Sequence, residues 1–328
     1  MLDKSPRDKN LLKKLYFEML RIRRVEEKLT EWFNAGLIKA PVHLSIGQEA
    51  VAVGVMAALK PQDKIVSTHR CHGHYLAKGG DLKKMMAEIL GKATGCCKGK
   101  GGTMHLLDDE AGLVVSVPLV AASISFAVGL AFSFKMKSED KIAVAFFGDG
   151  AVEEGIFWES VNFASVHKLP VLFVCENNLY ATHSHILSRQ PSERIVGRIR
   201  PFISNACRIE NANSVLNVVD IAETVVDEVR QNEPGFIEAC TYRLKEHWGV
   251  GEDWHLGYRS RKEGEKWIAK CPFKQLQKVF NEEDISQSEI EKMDELIKQE
   301  INEAVEFAFN SPLPSQEELL TEVGGENE

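Results

Sequence analysis

Two short polar runs each follow an apolar segment, and together they could bind a metal ion. Gly148-Asp149-Gly150 follows the apolar segment 141–147, and Glu176-Asn177-Asn178 follows the apolar segment 169–175. Residues 153–167, between them, have a helical pattern, so the order is strand, helix, strand. A right-handed crossover places both strand ends on one edge of a sheet, about 5 Å apart if the strands are neighbours. We therefore expect Asp149 and Asn178 to share one ion.

One carboxylate and one amide oxygen suit Mg²⁺, which takes few protein ligands and completes its octahedron with phosphate oxygens and water. The glycines of the first run allow a diphosphate close to the backbone, and the following helix directs its N-terminus at it. Either run alone is more often a turn or a helix cap. Their position at the ends of successive strands favours a metal-diphosphate site.

Three ordered blocks upstream extend the pattern: His43–Glu49, His69–His74 and Gly91–His105. Together with the two polar runs at 148–150 and 176–178, these three blocks resemble the pattern of a known family. The family is the alpha subunits of the thiamin-diphosphate-dependent decarboxylating component of 2-oxoacid dehydrogenase complexes, including the pyruvate and acetoin dehydrogenases. The resemblance runs from about Leu11 to Tyr258.

The resemblance implies thiamin diphosphate and Mg²⁺ as cofactors. It implies Asp149, Asn178 and the backbone carbonyl of Tyr180 as metal ligands. His43 and His247 match catalytic histidines, His247 on a loop that helps to pass an acyl group to a lipoyl arm. The cofactor-binding residues implied are His69, Arg70, Leu113, Asp149, Gly150, Ala151, Asn178, Tyr180 and His247.

The chain departs from the family pattern at three places. His69 stands where a tyrosine is usual, and Lys245 replaces a histidine two residues before His247, with Trp248 at a common serine position. The stretch 106–113 is shorter and more acidic than the glycine-rich turn that holds the aminopyrimidine ring in the family. The resemblance therefore implies less about the substrate and the pyrimidine contacts than about the metal site.

The activity implied is oxidative decarboxylation of a short 2-oxoacid such as pyruvate, with acyl transfer to the lipoyl domain of an acyltransferase core. Alternatives are acetoin cleavage, favoured by His72-Gly73-His74, a thiamin-dependent enzyme without a lipoyl carrier, and a non-catalytic scaffold subunit. No second cofactor-binding half is recognisable in the sequence. A beta subunit is therefore expected, in an α2β2 heterotetramer.

Composition bounds the class of protein. The 328 residues are 44% hydrophobic and carry a net charge of −8, which fits a globular protein and argues against non-specific nucleic-acid binding. Seven cysteines show no CxxC spacing, and the first residues contain no apolar stretch typical of a secretory signal. A reducing cytoplasm is the expected location.

The segment Leu113–Phe134 has 22 uncharged residues, enough to cross a bilayer. Its small residues favour a tightly packed core helix instead, and we expect no membrane span. Ala121, Ala122, Ser123 and Ser125 are then candidates for the contact with a partner subunit.

The remaining pattern predicts an α/β fold of the thiamin-diphosphate-binding type, a mostly parallel sheet flanked by helices. Apolar residues from Leu11 to Trp32 recur at helical spacing, while Ile65–Thr68 and 235–244 resemble strands and Ser214–Gln231 a helix. We predict an N-terminal helical extension (1–36), a cofactor-binding domain (37–270) and a C-terminal helical arm (271–328) whose acidic end, 314–328, is frayed.

Overall fold

The computed structural model describes residues 8–321. The start of the predicted N-terminal extension, residues 1–7, and the last part of the acidic end, residues 322–328, lie outside the described residues. The helices are α1 (Lys9–Asn34), α2 (Glu49–Ala57), α3 (His72–Lys78), α4 (Leu82–Ile89), α5 (Ala122–Met136), α6 (Gly155–Val166), α7 (Val196–Ile199), α8 (Val215–Arg230), α9 (Arg261–Ala269), α10 (Pro272–Glu282) and α11 (Gln287–Asn310). The strands are β1 (Lys64–Thr68), β2 (Leu113–Val117), β3 (Ala143–Gly148), β4 (Val171–Asn177), β5 (Tyr180–Ala181), β6 (Ser184–His185), β7 (Ala206–Ile209) and β8 (Gly235–Cys240).

Six strands form one parallel sheet in the order β2-β1-β3-β4-β8-β7, while β5 and β6 form a small antiparallel pair. Strands β4 and β8 are buried along their whole length, as expected for a parallel sheet covered on both faces by helices. Strands β3 and β4 are neighbours, with Gly148 opposite Glu176. The predicted α/β class and the predicted strand, helix, strand order on either side of α6 are confirmed.

The long terminal helices pack on the same core as the sheet. Helix α1 is capped by Asp8 and buries one apolar face, and α11 begins with a capping box at Ser286. Arg21 pairs with Glu300 through both carboxylate oxygens, and α11 packs along α4 and α1. Their apolar side chains belong to the cluster that also contains residues of β3, β4 and β8.

The uncharged segment 113–134 is not one helix, so that prediction was wrong. Residues Leu113–Val117 form strand β2, and helix α5 begins only at Ala122, after Pro118 and a residue with positive φ, Ala121. The run of β-branched residues Val114, Val115 and Val117 is the local reason for a strand. Among residues 8–321, no helix is long and apolar enough to cross a membrane.

Other elements also differ from the sequence-based prediction. His72 and His74 lie on α3 and not in a loop, and edge strand β7 and helix α9 were not predicted. The acidic end is not frayed up to residue 321, because Glu317–Leu320 forms a 3₁₀ turn and Glu318 pairs with Lys100 at 3.0 Å. The pairing of β7 with β8 and the contact of Glu318 with Lys100 join residues far apart in sequence, which a local sequence pattern does not reveal.

The prediction that small residues at the start of α5 contact a partner subunit is wrong for two of the four residues. Ala121 and Ser123 are buried inside the chain, and the Ser123 hydroxyl donates to the carbonyl of Phe146. Exposed apolar side chains lie instead on the outer faces of α5 and α6. Phe132 and Phe163 have ring centroids 5.8 Å apart, and we call these two residues the α5–α6 patch.

Candidate active site

A cavity of roughly 440 Å³ opens at the carboxyl edge of the parallel sheet. Its walls come from the residues that follow β1, β2, β3, β4 and β8, the edge where open α/β sheets bind ligands. The strand order reverses next to it, since β1 lies between β2 and β3. The predicted site residues that line this cavity are His43, His69, Arg70, Asp149, Gly150, Ala151, Asn178, Tyr180 and His247.

Asp149 lies directly after β3, at the start of a 3₁₀ turn, and its side chain is 1% exposed. Burial raises the pKa of this carboxyl group, and the Arg189 guanidinium opposes the shift. Arg189 forms ion pairs with both Asp149 and Glu153. The carboxylate is thus already paired with a guanidinium, which a metal ion bound at Asp149 would displace from the shared oxygen.

The two asparagines at the end of β4, Asn177 and Asn178, turn the chain back at the cavity. The Asn177 Oδ1 accepts from the Leu179 N–H, and the Asn178 Oδ1 accepts from the Tyr180 N–H, both at 3.1 Å. Leu179 has a positive φ of 70° in this turn. Asparagine side chains stabilise such turns by bonding the backbone two residues ahead, which explains locally why two of them occur together.

Gly150 brings the backbone close to the segment that follows β4. A Cβ atom at this position would lie 2.8 Å from the Ala181 Cβ, closer than side chains pack. The small residue keeps the turns after β3 and β4 in contact. The two predicted metal-ligating segments are therefore held together by backbone packing.

Arg70, after β1, is a buried cation without an acidic partner. Its guanidinium donates to the Leu44 carbonyl at 2.5 Å and to the His247 carbonyl at 3.0 Å. In the part of the chain that the structure describes, no carboxylate forms an ion pair with it, although the charges of Glu176 and Glu26 act on it from a longer distance. Burial, and then the nearby Arg243, lower its pKa to about 10. An unpaired buried guanidinium is costly, so an anionic ligand in the cavity would stabilise it.

Three imidazoles meet beside Arg70. The ring centroids of His43, His69 and His247 are 4.5 to 5.4 Å apart, with edge-to-face geometry. Burial, reinforced by the Arg70 charge, lowers the pKa of His43 to about 2 and those of His69 and His247 to about 3. The rings are neutral at pH 7, and the buried Nδ1 of His43 has no hydrogen-bond partner.

The loop that carries His247 is tied back to the segment that carries His43. The Gly249 N–H donates to the Val42 carbonyl at 2.7 Å, and Arg70 bridges the same two segments. At the base of the loop, Arg243 and Arg259 both bond to the buried carboxylate of Asp253. These contacts bring His43 and His247 together although they are far apart in sequence.

Leu113 is the predicted site residue that does not reach the cavity, and that prediction was wrong. It is fully buried at the start of β2, opposite Ile65 at the start of β1. The acidic stretch before it bonds to other residues, with Asp108 near the Tyr75 hydroxyl at 3.3 Å. Because β2 runs parallel to β1, its opposite end, Val117 to Ala121, lines the cavity.

Sequence reasoning missed several lining residues. Gln48, Met104, Glu176 and Arg243 also face the cavity. Gln48 lies in the block His43–Glu49 and Glu176 in the run 176–178, so their place in these motifs could have predicted that they line the site. Arg189 lies in a stretch without a regular pattern, and nothing local marks it as a partner of Asp149.

A family model described as dehydrogenase E1 component matches residues 17–317. The pyruvate dehydrogenase E1 component subunit alpha of Zymomonas mobilis is 38% identical over 96% of this chain and 89% of that protein. The alpha subunit of acetoin:2,6-dichlorophenolindophenol oxidoreductase of Bacillus subtilis is 37% identical over 94% of this chain and 92% of that protein. A chloroplastic pyruvate dehydrogenase E1 alpha subunit of Arabidopsis thaliana is 35% identical, over 94% and 73% of the two chains.

Proposed function

The chain belongs to the dehydrogenase E1 component family, and on this premise we propose that it is the alpha subunit of a thiamin-diphosphate-dependent dehydrogenase acting on a short 2-oxoacid such as pyruvate. The observation that carries the proposal is the cavity at the carboxyl edge of the sheet. There a buried carboxylate, Asp149, and an amide, Asn178, lie at the ends of adjacent strands, with the unpaired cation Arg70 in the same wall.

The donor set suits the cofactor. The oxygens of Asp149 and Asn178 and the backbone carbonyl of Tyr180 would hold Mg²⁺, which prefers such hard ligands. Arg70 would pair with the diphosphate, removing the cost of an unpaired buried charge. Thiamin diphosphate supplies carbanion chemistry at a carbonyl group when it is bound.

The protein contributes positioning and hydrogen bonding through its imidazoles. His43 and His247 are neutral at pH 7, so each can accept a hydrogen bond at one ring nitrogen and donate one from the other. His69 offers a third imidazole where a tyrosine is usual in the family, and we assign it to hydrogen bonding with the diphosphate. His247 lies on the loop after β8, from which it would help to pass the acyl group to a lipoyl domain.

A beta subunit should complete the site, in an α2β2 assembly, with a lipoyl-bearing acyltransferase core as the further partner. The three relatives described above are alpha subunits, and the α5–α6 patch leaves aromatic side chains exposed. Contiguous exposed apolar side chains often mark protein–protein contacts. We assign this face to the beta subunit.

The experiment that tests the proposal is cofactor binding by the Asp149→Ala variant, measured by isothermal titration calorimetry with and without Mg²⁺. We expect Mg²⁺-dependent binding to weaken by at least about 100-fold, because a metal ligand and its charge are lost. Asp140→Ala is the matched control, since Asp140 is exposed and pairs with Lys60 on the surface, away from the cavity. It should bind as the wild type does.

Unchanged cofactor affinity in Asp149→Ala would contradict the metal assignment. A wild-type chain that shows no cofactor binding in complex with its beta partner, yet assembles with it, would instead support the scaffold alternative. Mixing the purified subunits and measuring assembly by analytical ultracentrifugation separates these outcomes.

Acetoin cleavage is the second candidate, because the Bacillus subtilis acetoin relative is about as similar as the pyruvate relative and because Lys245 replaces a histidine near His247. The His72-Gly73-His74 run no longer favours it, because His72 and His74 are buried on α3 outside the cavity wall. Turnover of pyruvate, longer 2-oxoacids and acetoin by the α–β complex with an artificial electron acceptor separates the two. Higher kcat/KM for acetoin would overturn the pyruvate assignment.

A further inference from the structure

Buried hydrogen bonds connect Glu176, on strand β4, through Gln48 to the predicted metal ligand Asn178. The Gln48 Nε2 donates to the Glu176 Oε1 at 3.2 Å, and the Asn178 Nδ2 donates to the Gln48 Oε1 at 3.0 Å. All three side chains are less than 9% exposed. We propose that Glu176 and Gln48 are positioning residues that fix the Asn178 amide so that its oxygen can bind the cation. This rests on the proposed function.

The direction of these bonds follows from the chemistry of the groups. A carboxylate can only accept hydrogen bonds, so Glu176 requires the NH₂ end of the Gln48 amide to face it. The oxygen end of Gln48 then faces Asn178 and can only accept. Asn178 must therefore present its NH₂ to Gln48 and its oxygen to the other side. One carboxylate thus sets the orientation of two amides in sequence.

The oxygen so exposed keeps capacity for a metal. The Asn178 Oδ1 accepts one bond, from the Tyr180 N–H, and has a second lone pair. An asparagine amide has two orientations related by a flip of its terminal torsion. The flipped form would direct an NH₂ group at the cation and leave it without that ligand. The bond to Gln48 disfavours this form.

Glu176, at the far end of these hydrogen bonds, is itself held in place. The Nε2 of His74 lies 3.6 Å from the Glu176 Oε2, and its Nδ1 is 2.7 Å from the Ser67 hydroxyl on β1. The Phe146 ring stacks on the His74 ring with centroids 4.0 Å apart. Because β1, β3, β4 and α3 all contribute, Glu176 has little freedom to turn away. Packing of these elements therefore fixes Glu176, and through Gln48 it fixes the orientation of the Asn178 amide.

The test measures Mg²⁺ affinity by following thiamin diphosphate binding calorimetrically at fixed cofactor while Mg²⁺ is varied, using the α–β complex. In Gln48→Leu we expect the apparent Kd for Mg²⁺ to rise at least tenfold, whereas the cofactor Kd at saturating Mg²⁺ stays within threefold of wild type. A purely structural role would weaken both together. The melting temperature of the Mg²⁺-free complex checks that the fold is retained.

A swapped pair makes the test sharper. Gln48→Glu combined with Glu176→Gln exchanges donor and acceptor, keeps the net charge, and still leaves a carboxylate oxygen to accept from Asn178. We expect this double variant to recover Mg²⁺ affinity to within threefold of wild type, while Glu176→Gln alone does not. Glu154→Gln removes one charge at the cavity rim without touching these amides, so it shows how much of any change is due to charge.

Wild-type Mg²⁺ affinity in Gln48→Leu, or a swapped pair that folds but stays as weak as Gln48→Leu, would overturn the positioning role. A change in Glu154→Gln as large as in Glu176→Gln would also overturn it, because charge alone would then explain the effect. Failure of the proposed function has a different signature, namely a wild-type complex whose cofactor binding does not depend on Mg²⁺.

Discussion

At the scale of single residues, the cavity combines buried cations with neutral imidazoles. Arg70 has no acidic partner among residues 8–321, and the positive charge together with burial keeps His43, His69 and His247 unprotonated at pH 7. Such an arrangement favours anionic ligands and disfavours any further positive charge. It also makes folding depend on pH.

We predict that stability falls as the pH drops below about 6.5. The pKa of His43 is lowered to about 2 in the folded chain, so below pH 6.5 the unfolded chain binds a proton that the folded chain does not. The loss is at most about 1.4 kcal/mol per pH unit for one histidine. The free energy of unfolding, measured with urea at pH 7.0 and at pH 5.5, should differ less between the two pH values in His43→Gln than in the wild type. An equal difference would contradict the burial of a neutral His43.

At the scale of elements, α5 and α6 lie side by side on one face of the sheet and present aromatic rings outward. Phe132 is 38% exposed and Phe163 is 40% exposed, and the two rings are neighbours. The inner side of α5 combines small residues such as Ser123, which bonds to β3, with larger apolar ones such as Ile124 and Phe134. The outward rings of Phe132 and Phe163 are not needed for this internal packing, so they are free to contact a partner.

Phe163→Glu should weaken assembly with the beta subunit by at least about tenfold, because a charge would be buried in an apolar contact. The chain itself should remain folded, since Phe163 is half-exposed. Leu296→Glu on α11 is the control, as Leu296 is also exposed but lies outside the α5–α6 patch. Sedimentation of mixed subunits measures the effect, and equal assembly by the two variants would exclude this face as the contact.

At the scale of the whole molecule, one hydrophobic cluster joins the terminal helices to the sheet. Leu15 of α1, Val144 of β3, Ile237 of β8 and Ile297 of α11 belong to it. The predicted division into 1–36, 37–270 and 271–328 remains a prediction. A shared core implies that the terminal helices and the sheet unfold together.

Ile297→Ala should therefore lower the free energy of unfolding of the entire chain by about 2–5 kcal/mol, because it leaves a cavity in the shared core. Its neighbour Leu296 is 59% exposed, so Leu296→Ala should change it by less than about 0.5 kcal/mol. Denaturant unfolding followed by tryptophan fluorescence and by circular dichroism gives the comparison. Two separate transitions would show that α11 unfolds independently.

Local rules explain which parts were predictable. Apolar runs ending in Gly148 and in Glu176-Asn177 predicted β3 and β4, because buried strands and the turns that end them have short-range signatures. The segment 113–134 was misjudged because an uncharged run of this length has no periodicity that separates strand from helix. Leu113, which the resemblance implied as a cofactor-binding residue, is instead buried at the start of β2, away from the cavity.

The sequence alone determined the type of fold and the presence of Asp149, Arg70 and Asn178 at strand ends, since strand ends and their turns are encoded by neighbouring residues. The tertiary structure decided which distant side chains meet there. Gln48 reaches Glu176 across 128 residues, and Arg189 reaches Asp149 across 40. Such meetings depend on strand order and register, which bring together residues that no local pattern relates.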